Sequence, residues 1–458
     1  MAAVGVVLRC DASPTVGLGH WARCRAIADA VAAGGGTARW ATRGGATLAA
    51  LDASAAVEPL PSDIDAPFAS DLAAIDPPPA GWIVVDHYGA NDADLAALQR
   101  GGARVAVFDD HQQRRADLRI LLAGVPGDRS AMLAGLAYAP LRPAFRLARL
   151  SRTVSDGGVV LMFGGADPGR LSSAVIASLR RTAWASHPLT VIASDPVAAA
   201  QDLDAALAAW PGGGRRWYGM PPSAIAALLR SAESVVCACS TSALEALAVG
   251  APTVAVCSLD NQRALGRALT AAGVVVVECP TAAVAAMPGV ASPFIDGLGA
   301  ERIVAALGLA IAPSMPPPAG PLAIRTATEA DCAEVWAINT HVATRRESLS
   351  PRPIPWSDHL AWWRSRPPDL LVASLGGMVV GCMRVRDGWV DIAVHPVAQR
   401  RGVASALLRA SAAAGGRRAI ISAGNDASLA LFAKAGYHDD GPDDHAGFRR
   451  LIQSVPNR

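Results

Sequence analysis

The feature that most constrains the fold is an alternation of short β-branched segments with longer Ala-, Leu- and Arg-rich segments over roughly the first 280 residues. This alternation predicts βαβ units, and therefore parallel sheets, because parallel strands need a crossover connection. The predicted strands are Val4–Arg9, Trp82–Asp86, Arg104–Asp109, Gly158–Phe163, Leu189–Ala193, Ser234–Ala238 and Thr253–Val256, and the predicted helices include His20–Ala33, Ala90–Arg100, Leu171–Arg180, Pro222–Arg230 and Ser242–Val249. Ligands of such sheets bind at the carboxyl ends of the strands, so the loops that follow them are the candidate site.

The same pattern divides the chain into four stretches. A second series of strands begins near Gly157, so residues 1–150 and 151–311 are expected to form two α/β domains with a cleft between them. Residues 312–321 are Pro-rich and predict a semi-rigid linker. Residues 322–458 are expected to form a separate α+β domain, with strands Leu322–Arg325, Leu370–Ser374, Met378–Arg386 and Trp389–Val394 and a long helix Val403–Ala413.

Charge and apolar patterning argue against several functions. Lys and Arg number 41 and Asp and Glu 39, so the net charge of +2 argues against a nucleic-acid binder or a polybasic membrane anchor. The longest apolar stretch, Val249–Cys257, is interrupted by glycine, proline and threonine, and a span needs about 20 apolar residues. The eight cysteines are scattered without metal-ligand spacing, which indicates reduced thiols in a cytoplasmic protein and no metal site.

The loop after the first strand brings a histidine to the start of a helix. Gly17 and Gly19 allow a ligand to approach the backbone closely, and the N-terminus of the helix favours an anion. His20 can carry a proton near neutral pH, although a helix-capping role fits the sequence equally well. The spacing matches neither a dinucleotide fingerprint nor a Walker lysine, so NAD and ATP are not expected.

Polar residues also follow two later strands. Asp86, His87 and Tyr88 come directly after a fully apolar run, where polar side chains lower stability unless they form a site or cap a turn. Asp109 and Asp110 follow the next strand and can also be turn caps.

Six motifs, in order over residues 4–285, resemble one family. They are Asp11, Ser13, Gly17, Gly19, His20 and Arg23; Val85-Asp86-His87-Tyr88-Gly89; Phe108-Asp109-Asp110; Phe163-Gly164-Gly165-Ala166-Asp167-Pro168; Ser240-Thr241-Ser242-Ala243-Leu244-Glu245-Ala246; and Asn261-Gln262. Together they are similar to the nucleotide-sugar hydrolases of pseudaminic acid biosynthesis, which act on UDP-2,4-diacetamido-2,4,6-trideoxy-β-L-altropyranose.

This resemblance implies a GT-B fold and a set of site residues. His20 would be the base that activates water, and Tyr88 would assist near the sugar. The substrate would also contact Asp11, Ser13, Gly17, Gly19, Arg23, Asp86, His87, Asn261 and Gln262, and UDP would contact Gly164, Gly165, Ser240, Thr241, Ser242 and Glu245. Glu245 could instead be a helix N-terminal glutamate favoured by the helix dipole. Because UDP is a good leaving group, one base and a site for the departing diphosphate are sufficient, and we expect inversion, C–O cleavage and no metal.

The last domain carries a second resemblance. A strand, a Gln399-Arg400-Arg401-Gly402-Val403-Ala404 turn and a helix form a cradle for an oxyanion, similar to the acetyl-CoA pyrophosphate loop of GNAT acetyltransferases. The segment from Asn425 to Tyr437 resembles the second GNAT signature. The implied acetyl-CoA contacts are Val394, Gln399, Arg400, Arg401, Gly402, Val403, Ala404, Asn425 and Phe432. Many GNAT members have a tyrosine acid where this chain has Phe432, so another group must serve, or the domain is slow or inactive.

The predicted fold class is therefore α/β: a GT-B-like pair of Rossmann-type domains with an interdomain cleft, followed by an α+β GNAT domain. The predicted protein is a bifunctional enzyme that acetylates the 4-amino group of a UDP-linked 6-deoxy amino sugar with acetyl-CoA and then hydrolyses the product to UDP and free sugar. The alternatives are a UDP-sugar glycosyltransferase, a hydrolysing 2-epimerase, and a C-terminal domain that binds CoA without catalysis.

Overall fold

The chain forms two compact units, Met1–Ser314 and Met315–Arg458, in a computed structural model. The structure describes residues 5–11, 18–43, 57–76, 81–109, 114–124, 132–149, 157–164, 171–193, 200–287, 295–311, 320–352, 354, 356–366, 369–413 and 416–453. Within these residues, no helix combines the length and apolar character that crossing a membrane requires.

The first unit contains two parallel sheets. The strands of the first are β1 (Gly5–Cys10), β2 (Thr37–Thr42), β3 (Val57–Pro59), β4 (Trp82–Asp86), β5 (Arg104–Phe108), β6 (Leu118–Leu121) and β7 (Met132–Ala134), in the order β3-β2-β1-β4-β5-β6-β7. Those of the second are β8 (Val159–Met162), β9 (Leu189–Ala193), β10 (Gly214–Tyr218), β11 (Ser234–Ala238), β12 (Thr253–Val256) and β13 (Val275–Val277), in the order β10-β9-β8-β11-β12-β13. Both are doubly wound, and each reverses its strand order beside its first strand.

The helices of this unit are α1 (Gly19–Ala33), α2 (Asp92–Arg100), α3 (Pro143–Arg149), α4 (Leu171–Leu179), α5 (Ala200–Ala208), α6 (Pro222–Ser231), α7 (Thr241–Val249), α8 (Arg263–Ala271), α9 (Pro280–Ala286) and α10 (Gly299–Ala306). Sequence signals explain several of the boundaries. Asn91 and Asp94 form a capping box at the start of α2, and α7 ends at Gly250, whose φ of 79° suits glycine.

Two segments join the sheet domains of the first unit. The segment between the two sheet domains, called the connector below, contains α3, which packs on α6 and α7 of the second domain. After the second domain, α10 returns to pack against α1 of the first, and the indole of Trp82 donates a hydrogen bond to the carbonyl of Leu307 at 2.8 Å. The unit is therefore a GT-B-like pair of Rossmann-type domains, which confirms the predicted fold class.

The second unit is a mixed sheet covered by helices. Its strands are β14 (Leu322–Thr326), β15 (Leu371–Leu375), β16 (Met378–Arg386), β17 (Trp389–Val394), β18 (Arg418–Ser422), β19 (Tyr437–Pro442) and β20 (Phe448–Gln453), in the order β14-β15-β16-β17-β18-β20-β19. Its helices are α11 (Cys332–Thr340), α12 (Val342–Arg346), α13 (Trp356–Arg364), α14 (Val403–Ala413) and α15 (Asp426–Lys434). Gly381 lets α14 approach β16 closely, since a Cβ there would lie 3.0 Å from Val403.

Candidate active site

A buried His–Asp pair lies where the strand order of the first sheet reverses. Strands β1 and β4 are neighbours, with Cys10 opposite Asp86, and α1 starts in the loop after β1. The Nδ1 atom of His20 lies 2.7 Å from Oδ1 of Asp86. The Nη2 atom of Arg23 is farther from Nδ1, at 3.1 Å. Because a carboxylate only accepts, Nδ1 carries the proton and Nε2 keeps the basic lone pair, as a general base requires.

Asp86 is held in its ionised form by its neighbours. The Arg23 guanidinium donates from Nε to Oδ2 at 2.9 Å and from Nη2 to Oδ1 at 2.7 Å. Burial alone would raise the pKa of Asp86, but the charges and hydrogen bonds of Arg23 and His20 outweigh it and hold the pKa below its usual range. Both carboxylate oxygens are thus used inside the protein, which favours an orienting role for Asp86 over a direct substrate contact.

The residue after Asp86 fixes the loop that carries Tyr88. His87 accepts a hydrogen bond at Nδ1 from the Gly89 amide at 2.9 Å, and its Nε2 lies 3.0 Å from Oδ2 of Asp11. Both ring nitrogens are therefore engaged. The neighbouring Tyr88 side chain is 47% exposed and lies edge-on to the His20 ring, with centroids 4.6 Å apart.

Asp11 is buried and supports the same loop from β1. It is paired with Arg9, and its Oδ1 accepts from the Arg43 amide at 2.9 Å. Burial would raise the pKa of Asp11, but the hydrogen bonds from His87 and Arg9 lower it far below its ordinary value. Asp11 and His87, predicted as substrate contacts, are thus bound to one another and to the protein interior.

Two cavities meet at His20 and Tyr88. The larger, of about 430 Å³, lies beside the first sheet; the smaller, of about 210 Å³, lies between the two halves of the first unit. The larger is lined by Asp11, His20, Ile64, Asp65, Ala66, Pro67, Phe68, Ala69, Asp86, His87, Tyr88, Gly89, Asn91 and Asp94. The smaller is lined by Gly19, His20, Arg23, Tyr88, Leu122, Ala123, Cys239, Ser240, Thr241, Leu244, Asn261, Gln262, Ala264 and Leu265. The histidine is therefore placed to act on a ligand that extends through both.

The second half presents the N-terminus of α7 to the smaller cavity. Ser240 caps this helix by accepting from the Ser242 amide at 3.3 Å, and Thr241 begins it. Gly19 of the first half lies beside this end of the helix, where a Cβ would be in ordinary van der Waals contact with the Thr241 hydroxyl, at 3.8 Å. Helix N-termini bind anions such as phosphate, so this end of α7 can hold a diphosphate beside His20.

The remaining predicted contacts of the first unit differ in their placement. Asn261 lines the smaller cavity, as does Gln262, whose Oε1 accepts from the amides of Ser258 and Leu259. Gly164 follows β8 with a φ of 84°, where the strand order of the second sheet reverses. Ser13, Gly17 and Gly165 lie outside the described residues.

Glu245 is buried on α7, one turn beyond the end that faces the smaller cavity. Burial raises its pKa to about 7, and the opposing charge of Arg142 limits the rise. The structure thus gives Glu245 a neighbour from the connector that the sequence did not suggest.

Asp109, directly after β5, has a structural role. Asp109 is buried and pairs with Arg114 and Arg119, at 3.3 and 2.7 Å. Asp109 therefore fixes the segment before β6, which is closer to the structural role that the sequence offered as an alternative than to a ligand contact. Asp110 lies outside the described residues.

The second unit has a separate candidate site between two splayed strands. Strands β17 and β18 are parallel and pair at Trp389 and Arg418, and no further pair forms between their described residues. Val394 ends β17, and the exposed turn from Gln399 to Gly402 leads to Val403 and Ala404 at the start of α14. Arg400 and Gly402 have φ of 60° and 78°, the left-handed conformation that turns successive amides toward one anion. This turn and helix end fit a pyrophosphate group.

The second predicted segment of this site is well packed. Asn425 caps α15 by accepting from the Ser428 amide at 3.0 Å. Phe432 is buried edge-on against Tyr437, with ring centroids 4.9 Å apart. The Tyr437 hydroxyl donates to the Gly416 carbonyl at 3.0 Å, so it is directed into the fold as a structural hydrogen bond.

The sequence of this unit matches a known family. Residues 334–437 fit the family model described as Acetyltransferase (GNAT) family. The second unit contains a GNAT acetyltransferase domain. A comparison of the whole sequence with curated proteins finds no match.

Three solved structures illustrate the similarity of each unit. The chain is similar to MurG of Acinetobacter baumannii, with 12% identity and a TM-score of 0.46 over 67% of this chain and 99% of that one. It is similar to the GNAT domain of S. lividans PAT, with 25% identity and a TM-score of 0.25 over 29% and 89%. It is also similar to spermidine N-acetyltransferase of Vibrio cholerae in complex with CoA and spermine, with 12% identity and a TM-score of 0.25 over 28% and 93%. The strand orders, rather than these similarities, define the fold.

The sequence did not single out Arg43 and did not show the partners of Asp86. Asp86 was predicted to contact the substrate; it lines the larger cavity and binds His20 and Arg23. Arg43 was not singled out, although it is buried behind the larger cavity. The signal for Asp86 was its place at the end of a predicted strand, whereas Arg43 follows β2, which was not among the predicted strands.

Proposed function

We propose that the first unit hydrolyses a UDP-linked sugar. The observation that supports this best is the position of the His20–Asp86 pair at the junction of two cavities. One cavity adjoins a helix N-terminus suited to a diphosphate, and the other adjoins the first sheet and has room for a sugar. A ligand spanning both places its glycosidic carbon beside the imidazole.

In this proposal, His20 Nε2 takes a proton from water as the water oxygen attacks the anomeric carbon. The bond between that carbon and the UDP oxygen breaks, and its electron pair leaves with the diphosphate. The imidazolium that forms is stabilised by Asp86, which keeps the ring oriented. The N-terminus of α7 and the Thr241 hydroxyl offset the charge that develops on the leaving group. Attack opposite the leaving group gives inversion.

We further propose the sugar to be UDP-2,4-diacetamido-2,4,6-trideoxy-β-L-altropyranose, because the six motifs in register resemble the hydrolases of that compound. The products are then UDP and free 2,4-diacetamido-2,4,6-trideoxy-L-altrose. We also propose that the protein is cytoplasmic, because its eight cysteines are free thiols.

For the GNAT domain we propose transfer of an acetyl group from acetyl-CoA to the 4-amino group of the same UDP-sugar. The amine nitrogen attacks the thioester carbonyl, the carbon–sulfur bond breaks, and the proton that the nitrogen loses is taken up by the sulfur, so that CoA leaves as the thiol. The turn before α14 holds the pyrophosphate of CoA. With both activities on one chain, the acetylated product is released near the hydrolase that consumes it.

The hydrolase is tested by measuring UDP release from the diacetamido UDP-sugar without any acceptor. We expect His20→Ala to bind UDP like the unaltered protein and to release UDP at least about 100-fold more slowly, because a general base contributes 10²–10⁴-fold. His445→Ala, at an exposed histidine of the GNAT domain, is the matched control. Undiminished turnover by His20→Ala would exclude this mechanism.

The alternatives give different products. A glycosyltransferase releases UDP only when an acceptor is added, and a hydrolysing 2-epimerase gives a sugar with the opposite configuration at C2. In the GNAT domain, Phe432 has no hydroxyl group and the Tyr437 hydroxyl is bonded to the Gly416 carbonyl, so the alternative that the domain binds CoA without catalysis is also tested. If the protein binds acetyl-CoA but releases no CoA in the presence of the 4-amino UDP-sugar, the domain is a binding module.

A further inference from the structure

A buried arginine–aspartate pair lies behind one wall of the larger cavity. The guanidinium of Arg43 and the carboxylate of Asp71 are 1% and 0% exposed, and Nε lies 2.5 Å from Oδ2. Neither residue is on the cavity surface. We propose that this pair is a positioning clamp that fixes the cavity wall, residues 64–69, and that the wall selects the sugar of the substrate; this rests on the hydrolase function proposed above.

The contacts of the pair are with the backbone of that wall. Arg43 donates through Nη1 to the carbonyl of Ala66 and through Nη2 to the carbonyl of Pro67, at 2.7 Å for the latter. Asp71 accepts at Oδ1 from the Ser62 amide at 3.2 Å. One ion pair thus holds the wall at its middle and holds the backbone two residues before it at Ser62. Removing one partner of a buried ion pair leaves the other charge without compensation, so the segment would lose its fixed position.

The clamp is continuous with the residues around His20. The Arg43 amide donates to Oδ1 of Asp11 at 2.9 Å, and Asp11 is bonded through Oδ2 to His87. The ring of Phe68, in the wall, lies 5.2 Å from the His87 ring and 4.9 Å from the Arg9 guanidinium. The wall and the catalytic loop are therefore placed relative to each other by a single buried network.

The chemistry of the wall indicates what it selects. Apart from Asp65, its residues are apolar: Ile64, Ala66, Pro67, Phe68 and Ala69. Methyl groups gain by burial against such a surface, whereas a hydroxyl group placed there loses its hydrogen bonds to water. A wall fixed in this position favours a 6-deoxy, N-acetylated sugar over one with a 6-hydroxyl group, and a loosened wall would discriminate less.

The test compares Asp71→Asn with Asp63→Asn, a matched exposed aspartate in the same segment. Three quantities are measured on the full chain: hydrogen exchange of amides 62–69, UDP affinity, and the ratio of kcat/KM for the diacetamido 6-deoxy UDP-sugar to that for UDP-N-acetylglucosamine. In Asp71→Asn, we expect faster exchange in this segment, unchanged UDP affinity, and a ratio reduced about tenfold, the scale of discrimination by one small group. Asp63→Asn should change none of them.

Two outcomes would overturn the clamp. One is unchanged exchange and an unchanged ratio in Asp71→Asn; the other is an equal loss of UDP affinity, which would indicate general damage to the unit. Arg43→Gln, which retains one hydrogen-bonding group and loses the charge, should reproduce the effects of Asp71→Asn. If the unaltered protein hydrolyses neither UDP-sugar, the proposed function fails, while the exchange measurement still decides whether the clamp exists.

Discussion

Replacing Asp86 by Asn tests the catalytic role of the His20–Asp86 pair in the first unit. The substitution removes the charge that pairs with Arg23 and stabilises the imidazolium of His20. The new amide can also donate to Nδ1 and move the ring proton to Nε2, which would then be unable to act as a base. Since general-base catalysis contributes 10²–10⁴-fold, we expect kcat to fall by that factor, or about 3–5 kcal/mol in activation free energy.

The stability loss needs its own control, because breaking a buried ion pair costs about 3–5 kcal/mol. Asp109 is a close match: it is buried directly after the neighbouring strand β5 and pairs with two arginines, but its pairs do not include His20. Asp109→Asn should therefore lower the melting temperature of the first unit as Asp86→Asn does and leave kcat largely intact.

The assay is steady-state UDP release at temperatures well below both melting transitions, with UDP binding measured by calorimetry. The reasoning is refuted if Asp86→Asn keeps kcat within about threefold of the unaltered protein, or if Asp109→Asn loses kcat to the same extent while remaining folded.

Three further predictions concern the other titratable and strained positions. In a CoA-release assay, Gly402→Ala should raise the KM for acetyl-CoA at least about tenfold. The control is Gly377→Ala, at a glycine with a φ of 87° and the same open surroundings. It should lower the stability of the domain by a similar amount, about 1 kcal/mol, and leave the KM for acetyl-CoA unchanged. The pKa of Glu245 is raised to about 7 in the folded protein, so its contribution to stability is complete below about pH 4.5 and is lost as the pH rises through 7. Glu245→Gln should therefore raise the melting temperature at pH 8, because it removes a penalty of up to about 3 kcal/mol for the buried charge. An unchanged melting temperature at pH 8 would contradict the burial of that charge. Burial lowers the pKa of His359 to about 4, although its hydrogen bond to the Cys332 carbonyl opposes this shift, so the GNAT domain should lose up to about 3 kcal/mol of stability as the pH falls from 6.5 to 4. Acid titrations of the unaltered protein and of His359→Gln, followed by tryptophan fluorescence, should diverge in this pH range. Coincident titration curves would refute the assignment.

The central strands of the fold could be predicted from sequence because each has an uninterrupted apolar run. Trp82–Asp86, Ser234–Ala238 and Thr253–Val256 occur at the predicted positions and are buried along their length. Edge strands such as Gly214–Tyr218 were missed, since Arg215 and Arg216 interrupt their apolar pattern. Such a strand forms because β9 offers hydrogen bonds along its whole length, and that information lies outside its own residues.

The placement of the site residues was only partly accessible from sequence. The sequence predicted His20 and Asp86 to belong to the candidate site at the carboxyl ends of strands, but it did not show that β1 and β4 are neighbours. The sequence could not show that Asp11 and His87 bind each other, because side chains 76 positions apart must first be oriented by the folded loops. It also gave no sign that Arg142 faces Glu245, which depends on how the connector packs.

The most direct test of the account is hydrolysis of the diacetamido UDP-sugar in ¹⁸O-labelled water without an acceptor, with mass spectrometry of both products and NMR of the nascent sugar. Attack by water at the anomeric carbon predicts one labelled oxygen in the sugar, none in UDP, and an inverted anomeric configuration in the first product formed. Label in UDP, or no UDP release until an acceptor is added, would contradict the claim that His20 directs water to that carbon.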